Sequence, residues 1–374
     1  MPSPGTSAST SRDGTAPWAM HWPRRGSLCT FWMRRSGKGP RTSRPLIGWS
    51  GSGGAGRTVA PDPVPGSAGG SHLPSDPHPP HPMASQPEND RGPLVLTREV
   101  GPLRIHALDA GLQRLDGGAM FGVVPKPLWE RRIPADDRNR IPLALRCLLV
   151  EAPEALVLID TGIGNKESEK FRDIYGVENE GNPTRLEDAI RAAGFAPSDV
   201  DIVLLTHLHF DHVGGATQLN EDGSVTASFP QARHVVQEGE FDFAASTNER
   251  VRASYPQRNL TALTDAGLWS FVRGEAEVTR GVRVLPTPGH TPHHQSVILG
   301  NGGETACYLA DVCPTSAHLP LPWIMGYDLE PLVTLESKRK LQERALREDW
   351  LLVFEHDPDT AWGYLEEDGQ SLRT

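Results

Sequence analysis

The chain has 374 residues and a formal net charge of −10, which is enough sequence for two domains. Residues 1–90 contain 15 Pro and 13 Gly and more basic than acidic side chains, so the remainder is more acidic than the total. An acidic body disfavours nucleic acid or an anionic membrane as the main partner, and no apolar run approaches the roughly 20 residues of a membrane span. We therefore expect a cytoplasmic protein with a small-molecule substrate, and we leave a homodimer open.

Residues 1–93 are predicted to be a low-complexity, disordered tail, because this composition cannot bury enough apolar surface to offset its ordering entropy. Ordinary composition begins near Met83, so an over-extended start, with Met83 as the true first residue, is the alternative explanation of residues 1–82. The apolar patch at residues 28–33 is too short for a signal peptide. Residues 94–374 are then expected to form one domain.

The four cysteines show neither a CxxC pair nor a disulfide framework. Cys147 and Cys307 lie in apolar runs and are predicted to be small core residues. Cys313 follows Asp311 by two residues, and a position near a metal is the less favoured alternative for it.

From residue 94 onward, short apolar runs alternate with helical patterns, which is typical of a layered α/β protein. Thr184 and Glu187 fit a capping box for a helix that should end near Gly194. Residues 332–347 show helical spacing with a charged outer face. Strands are predicted at residues 104–108, 147–151, 156–160, 202–205, 234–236, 282–285, 296–299, 306–309 and 351–354.

The run Thr206–Gly215 follows one of these strands and places three imidazoles and a carboxylate within six residues. Neutral imidazole and carboxylate are the ligands that zinc and similar divalent ions prefer. Neither a strand nor a helix brings all four side chains to one face. We therefore predict a turn between a strand and a helix, with Gly214 and Gly215 permitting the bend.

Other metal-type residues also follow predicted strands, namely Asp160, His290, Asp311 and His356. In layered α/β proteins the carboxyl ends of strands converge on one edge, where functional sites gather. The five positions along the chain therefore predict a single site.

Taken together, five motifs, in this order and with this rough spacing, resemble those of the metallo-β-lactamase-fold hydrolases. They are Asp160-Thr161-Gly162, His207-x-His209-x-Asp211-His212, Gly289-His290-Thr291-Pro292, Asp311 and His356. The resemblance implies a four-layer αββα sandwich with a two-metal site at one edge. It also implies that His207, His209 and His290 bind the first metal, that Asp211, His212 and His356 bind the second, and that Asp311 bridges both.

Elementary electrostatics supports this assignment. Two divalent cations bring four positive charges, against three negative ones from Asp211, Asp311 and a bridging hydroxide. The remaining positive field can stabilise an oxyanion, and coordination lowers the pKa of water toward ~7. No Ser or Cys nucleophile is then needed. Two Zn²⁺ per chain are the expected cofactors, and Fe, Mn or Co are alternatives.

The other chemically notable residues receive supporting or structural roles. We expect Asp160 to hydrogen-bond a ligand loop, with a turn-capping role as the alternative, and His294 to support the site from outside the ligand set. His293 stands where the family commonly has Gly and is left outside the metal set. His106 and His234 lie in predicted strands and are interpreted as structural.

Several branches of the family fit less well. The commonest true β-lactamases have Cys at the position of Asp311, and fewer than 20 residues follow His356, which leaves no room for a helical thioesterase domain. Segment 116–129 looks like the pocket region of the lactonase-like and organophosphate-hydrolase-like branch. Many quorum-signal lactonases have Tyr where this chain has Pro314, and His318, Trp323 or Tyr327 are the candidate replacements.

The sequence thus predicts a dinuclear hydrolase that cleaves a lactone or ester of a small molecule, in which Asp211 is both ligand and proton handler. Phosphotriester, thioester or β-lactam hydrolysis is the alternative, followed by a non-catalytic metal-binding module. An amidohydrolase barrel is disfavoured, because its His-x-His pair lies on a first strand without Asp-His after it. The predicted substrate pocket contains Phe121, Trp129 and His318, with ordinary core positions as the alternative.

Overall fold

A computed structural model describes residues 92–181, 184–300 and 303–373. The predicted tail, the alternative start at Met83 and Cys29 therefore lie outside the described residues, except for positions 92 and 93. The first strand begins at Val95, close to the predicted start of the domain. Within the described residues, no helix is both long enough and apolar enough to cross a membrane.

The described part of the N-terminal half contains nine strands. They are β1 (Val95–Val100), β2 (Leu103–Asp116), β3 (Arg140–Ala152), β4 (Ala155–Ile159), β5 (Ile202–Leu204), β6 (Thr217–Leu219), β7 (Val225–Ala227), β8 (Arg233–Gln237) and β9 (Trp269–Val272). Seven of them form the first sheet, in the order β1-β2-β3-β4-β5-β8-β9, while β6 and β7 pair separately. β1 to β4 are antiparallel neighbours, and β4, β5, β8 and β9 run parallel.

The C-terminal half forms a second sheet of seven strands, paired in chain order. Only the pair β13–β14 is parallel; the other neighbours in this sheet are antiparallel. The strands are β10 (Ala276–Thr279), β11 (Val282–Pro286), β12 (Gln295–Leu299), β13 (Ala306–Tyr308), β14 (Leu351–Val353), β15 (Trp362–Leu365) and β16 (Leu372–Arg373).

The described residues also form eight α-helices, some of which cover the outer faces of the two sheets. They are α1 (Gly117–Phe121), α2 (Lys126–Trp129), α3 (Glu169–Tyr175), α4 (Arg185–Ala192), α5 (Phe210–Val213), α6 (Glu238–Ala245), α7 (Arg258–Asp265) and α8 (Pro331–Glu348). Half of the predicted capping box is present among the described residues: the Thr184 side chain accepts a hydrogen bond from the backbone N–H of Glu187, but the Glu187 side chain makes no return bond to the backbone N–H of Thr184. α8 buries the stripe Thr334, Lys338, Leu341, Gln342 and Ala345, which is the spacing of one helical face.

Three buried apolar clusters show the layering. One lies between the sheets and contains residues of both, such as Val157 of β4 and Val297 of β12. A second packs the outer face of the first sheet against α4 and α7, and a third packs the second sheet against α8. The fold is therefore the predicted four-layer αββα sandwich. Strands such as β4 have both faces covered, which explains why their sequences are continuously apolar rather than alternating.

The glycines after the histidine-rich run serve a different purpose from the one predicted. Gly214 has ordinary helical backbone angles, and neither glycine has a positive φ. A Cβ on Gly214 would lie 2.3 Å from the carbonyl oxygen of Ile163, and a Cβ on Gly215 would lie 2.0 Å from that of Thr161. These residues must be glycine because the loop after β4 passes directly against them. That contact holds the loops after β4 and β5 together.

Candidate metal centre

Five chain segments meet at one edge of the sandwich, each just after a strand. β4 is followed by Asp160 and β5 by the run that begins at His207; in the second sheet β11, β13 and β14 lead to His290, Asp311 and His356. Two of these segments contain strained backbone, because Asp160 and Ala310, both non-glycine residues, adopt left-handed φ angles of 54° and 49°. Strain of this kind clusters at functional sites.

The first group of donor atoms consists of His207, His209, His290 and Asp311, whose ligand atoms lie within 4.8 Å of one another. The Nδ1 atom of His209 is 3.0 Å from Nε2 of His207 and 3.1 Å from Nε2 of His290. Asp311 Oδ2 is 3.0 Å from His290 Nε2. A tetrahedral ion with bonds of ~2.0–2.1 Å holds its donors about 3.3 Å apart, so this group matches a zinc-sized site.

The second group consists of Asp211, His212 and His356. The Nε2 atom of His212 is 3.8 Å from Oδ1 of Asp211 and 3.6 Å from Oδ2 of Asp311. The other oxygen of Asp311, Oδ1, is 3.2 Å from Nε2 of His356. Asp311 therefore lies against both groups, with Oδ2 near His290 and His212 and Oδ1 near His356, as a bridging carboxylate would.

The outward-facing ring nitrogens are held by acceptors. His290 Nδ1 donates to Asp328 Oδ1 at 2.9 Å, and His356 Nδ1 donates to the carbonyl oxygen of Ala144 at 2.7 Å. His212 Nδ1 lies 3.1 Å from Asp160 and 3.2 Å from Glu355. Because these nitrogens carry the proton in the neutral ring, the Nε2 lone pairs point inward.

His207 is oriented through Thr206. The Thr206 hydroxyl donates to Asp160 Oδ2 at 2.7 Å, and its oxygen lies 3.2 Å from His207 Nδ1. The backbone N–H of Thr206 donates to the other oxygen of Asp160 at 2.8 Å. Asp160 thus reaches the start of the ligand loop as well as His212, which is the arrangement expected for it.

The residues present fit a pair of divalent cations. The Nε2 atoms of His207 and His290 both lie close to Nδ1 of His209. Lone pairs that converge in this way are unfavourable without a cation between them. Buried His212 Nε2 and Asp311 Oδ1 have no hydrogen-bond partner among the described residues. Buried polar atoms are rarely left unpaired. Nitrogen and carboxylate donors with fixed outer partners are the set that zinc, iron, manganese and cobalt accept.

His294 supports the loop of Asp311 from behind. Its Nε2 accepts a hydrogen bond from the backbone N–H of Asp311 at 3.2 Å, and its Nδ1 lies 2.9 Å from the Thr287 hydroxyl. Burial, reinforced by nearby His290, lowers the pKa of His294 to about 3, so the ring is neutral and can accept. The structure therefore places His294 outside the ligand groups, in contact with the bridging residue's backbone.

The carboxylates at the centre are surrounded by imidazoles. Burial would raise the pKa of Asp311, but the imidazoles of His290, His356 and His212 hold it well below its usual range. Asp311 therefore stays ionised. Burial raises the pKa of Glu355 to about 7, although His212 opposes this shift.

A cavity of about 330 Å³ opens onto the two groups, which is within the range of small-molecule sites. Part of its wall is apolar, and two phenols and one guanidinium also line it. The lining residues that are not ligands are Leu115, Met120, Leu143, Tyr175, Phe210, Arg250, Val251, Ser254, Met325, Gly326, Tyr327 and Leu329.

The three predicted pocket residues do not line this cavity. Phe121, Trp129 and His318 are buried and stacked on one another, with ring centroids of Phe121 5.3 Å from Trp129 and 4.4 Å from His318. Both nitrogens of His318 are engaged, with the Met120 carbonyl and the Thr315 hydroxyl. The stack supports Met120, which does reach the cavity. Phe121, Trp129 and His318 are therefore core residues, which was the alternative to a pocket role.

Cys313 is likewise buried among apolar residues under the second sheet, and its Sγ contacts the carbonyl oxygen of Thr315. It belongs to neither ligand group.

Several supporting residues were not found from the sequence. Asp328 and Glu355 are outer partners of ligands, and Gln113 donates to Asp211 Oδ2. Glu355 directly precedes His356 and sits in an otherwise apolar strand end, which is a signal that could have been used. Gln113 and Asp328 carry no such signal, because isolated polar residues outside a motif are usually on the surface.

Comparison with known proteins agrees with this geometry. Residues 142–356 match the family model of the metallo-beta-lactamase superfamily. N-acyl homoserine lactonase of a Bacillus species is 27% identical over 228 residues, covering 58% of this chain and 82% of that protein. N-acyl homoserine lactonase AttM of Rhizobium radiobacter is 31% identical over 183 residues, covering 47% and 64% respectively.

Solved structures give the same result. A probable metal-dependent hydrolase from Staphylococcus aureus superposes with a TM-score of 0.69 at 30% identity, covering 74% of this chain and 97% of that one. AidC, a dizinc quorum-quenching lactonase, gives a TM-score of 0.61 at 21% identity, covering 73% and 93%, and shows the shared fold. The family model spans more than half of the chain, and the ligand motifs are all in place. The chain therefore belongs to the metallo-beta-lactamase superfamily and is a metal-dependent hydrolase.

Proposed function

We propose that the protein binds two divalent cations, zinc by default, and hydrolyses a lactone or ester of a small molecule. The observation that carries the proposal is Asp311, whose carboxylate lies 3.0 Å from a ligand atom of the first group and 3.2 Å from one of the second. The curated relatives named as N-acyl homoserine lactonases support the lactone as substrate class. The apolar cavity walls suit an acyl chain.

Two bound cations would lower the pKa of water between them and polarise a carbonyl oxygen. Asp211 lies at the cavity, and Gln113 donates to its Oδ2, so the other oxygen, Oδ1, which is also the candidate ligand atom, can take the proton of the attacking water. Attack forms the new C–O bond, and the bond to the alkoxy group then breaks. Asp211 returns the proton to the leaving oxygen. The products are a carboxylic acid and an alcohol, which are one hydroxy acid when the substrate is a lactone.

Tyr327 is the residue that we propose to assist the substrate oxygen where Pro314 cannot. Of the three candidates, His318 has both nitrogens engaged and Trp323 packs edge-on against Phe121. Tyr327 lines the cavity, and its hydroxyl has no hydrogen-bond partner among the described residues. Burial raises the pKa of Tyr327 to about 12, which keeps the phenol protonated as a donor.

The metal set is tested by Asp311→Asn and His209→Ala. Each variant should abolish hydrolysis and reduce the bound metal below two per chain, measured by elemental analysis of the purified protein. His293→Gln is the matched control, because His293 is exposed and follows His290 by three residues. It should retain both metals and full activity. Retained activity in either ligand variant would overturn the dinuclear mechanism.

The substrate class is tested with a panel of lactones, aryl esters, phosphotriesters and a cephalosporin. Lactones and esters should be turned over at least tenfold more efficiently, by kcat/KM, than the other two classes. Turnover of the phosphotriesters alone would identify the protein as a phosphotriesterase instead. Turnover of the cephalosporin alone would overturn the assignment to the lactonase-like and organophosphate-hydrolase-like branch.

A further inference from the structure

Glu240 lies on α6, outside every motif, and is completely buried. Its carboxylate accepts three hydrogen bonds, at 2.7 Å from the Thr291 hydroxyl, 3.0 Å from the Tyr255 hydroxyl and 3.1 Å from the backbone N–H of Leu208. Isolated buried carboxylates are costly, and burial does raise the pKa of Glu240. The three donors offset that cost and tie Glu240 to three separate chain segments.

Each of the three donors is next to a ligand of the first group. Leu208 stands between His207 and His209, and Thr291 directly follows His290. The ring of Tyr255 packs edge-on against His209, with centroids 4.7 Å apart. One carboxylate therefore connects the elements that hold all three imidazoles of the first group.

The two ligand loops need such a connection because they come from different sheets. The loop after β5 carries His207 and His209, whereas the loop after β11 carries His290. The second group is held through other residues, namely Asp160, Glu355, Gln113 and the carbonyl of Ala144. Among the described residues, the hydrogen bonds of Glu240 include none to the second group's candidate ligands.

We infer that Glu240 is a positioning residue that strengthens binding of the first metal and has little effect on the second. This inference rests on the proposed two-metal site. Outer-shell partners of metal ligands typically contribute 10–100-fold to metal affinity. Removing Glu240 should therefore loosen the first cation by about that factor and leave the second nearly unchanged.

The test is a competitive Co²⁺ titration of metal-free protein against a chromophoric chelator, with the visible absorption of Co²⁺ as a second readout. Wild type should bind two Co²⁺. Glu240→Ala should bind one Co²⁺ as tightly as wild type and the other 10–100-fold more weakly, with altered absorption for the weak site only. Glu240→Gln keeps an acceptor oxygen but presents an amide N–H₂ to one donor, so an intermediate affinity is expected.

Glu238→Gln is the matched control, because Glu238 lies on the same helix but faces solvent, where it pairs with Arg273. It should bind as wild type does. Should Glu240→Ala fail to fold, Tyr255→Phe and Thr291→Val each remove one donor and should weaken the same site by a smaller factor. Unchanged affinity for both ions in the folded variants, or equal weakening of both, would overturn the inference. A wild-type protein that binds fewer than two Co²⁺ would instead overturn the proposed dinuclear site.

Discussion

At the scale of single residues, the site separates the candidate metal ligands from the groups that can touch substrate. The seven candidate ligands lie together in two groups, and the outer nitrogens of His290, His212 and His356 are held by fixed acceptors. Tyr327 lines the cavity, and its hydroxyl has no hydrogen-bond partner among the described residues. It is therefore free to change partners as a substrate binds and reacts.

Tyr327→Phe should lower kcat for lactones and esters about tenfold, which corresponds to one lost hydrogen bond of ~1.4 kcal/mol in the transition state. KM and metal content should stay close to wild type, since the ring and the ligands are retained. Steady-state kinetics with elemental analysis measures all three quantities. Tyr175→Phe, which removes the other phenol of the cavity, serves as comparison. If Tyr175→Phe loses activity and Tyr327→Phe does not, the assignment to Tyr327 is wrong.

The residues that could be predicted from sequence are those whose chemistry is concentrated in motifs. Three imidazoles and a carboxylate within His207–His212 have few structural explanations, so the run is informative by itself. Glu240 and Asp328 are single acids in ordinary surroundings, and a sequence gives no sign that either is buried. Phe121 and Trp129 show the opposite problem, because an apolar side chain suits a core and a pocket equally well.

At the scale of elements, α8 supports the cavity from behind through a buried ammonium. Lys338 is 1% exposed, and its Nζ donates to the carbonyl oxygens of Pro320 at 2.8 Å, Trp323 at 2.9 Å and His318. These carbonyls belong to the loop that carries His318, which stacks on Phe121 behind the cavity wall. The helix thereby fixes the shape of a loop that has little regular structure of its own.

Lys338→Met should lower the free energy of unfolding by about 3 kcal/mol, because three buried carbonyls lose a charged donor while the apolar stem is retained. Urea denaturation measures the change. Lys340→Met is the control on the same helix, since the Lys340 side chain is 71% exposed and pairs only with Glu336 at the surface. It should change stability by less than about 0.5 kcal/mol. Equal effects of the two substitutions would show that the buried ammonium has no special role.

The strands that could be predicted from the sequence are those with both faces buried. β4 and β5 are continuously apolar, and α8 shows a clear helical stripe. The last two strands, β15 and β16, have four and two residues, which is too short for a recognisable alternation. α6 has no clean apolar stripe because it buries a carboxylate, Glu240, beside Ala244. Its register depends on hydrogen bonds to distant loops, which sequence periodicity does not report.

At the scale of the whole molecule, the candidate metal centre joins the two halves of the sandwich. Four ligands follow β5 of the first sheet, and His290, Asp311 and His356 follow strands of the second. The sheets also share a continuous apolar core. The apolar core favours face-to-face packing of the two sheets in general. The candidate ligands come from both sheets, so a shared metal centre would fix how the edges of the two sheets align.

Removal of the metals should therefore destabilise the whole domain rather than the loops alone. A ligand that binds only the folded state, at a thousand times its Kd, adds about 4 kcal/mol per site. Dialysis against a chelator should lower the urea midpoint accordingly, with the slope of the transition unchanged because the surface exposed on unfolding is the same. Adding Zn²⁺ back should restore the midpoint, whereas Mg²⁺, which prefers oxygen ligands, should not. Identical midpoints before and after loss of two metals per chain would show that the core alone aligns the two sheets.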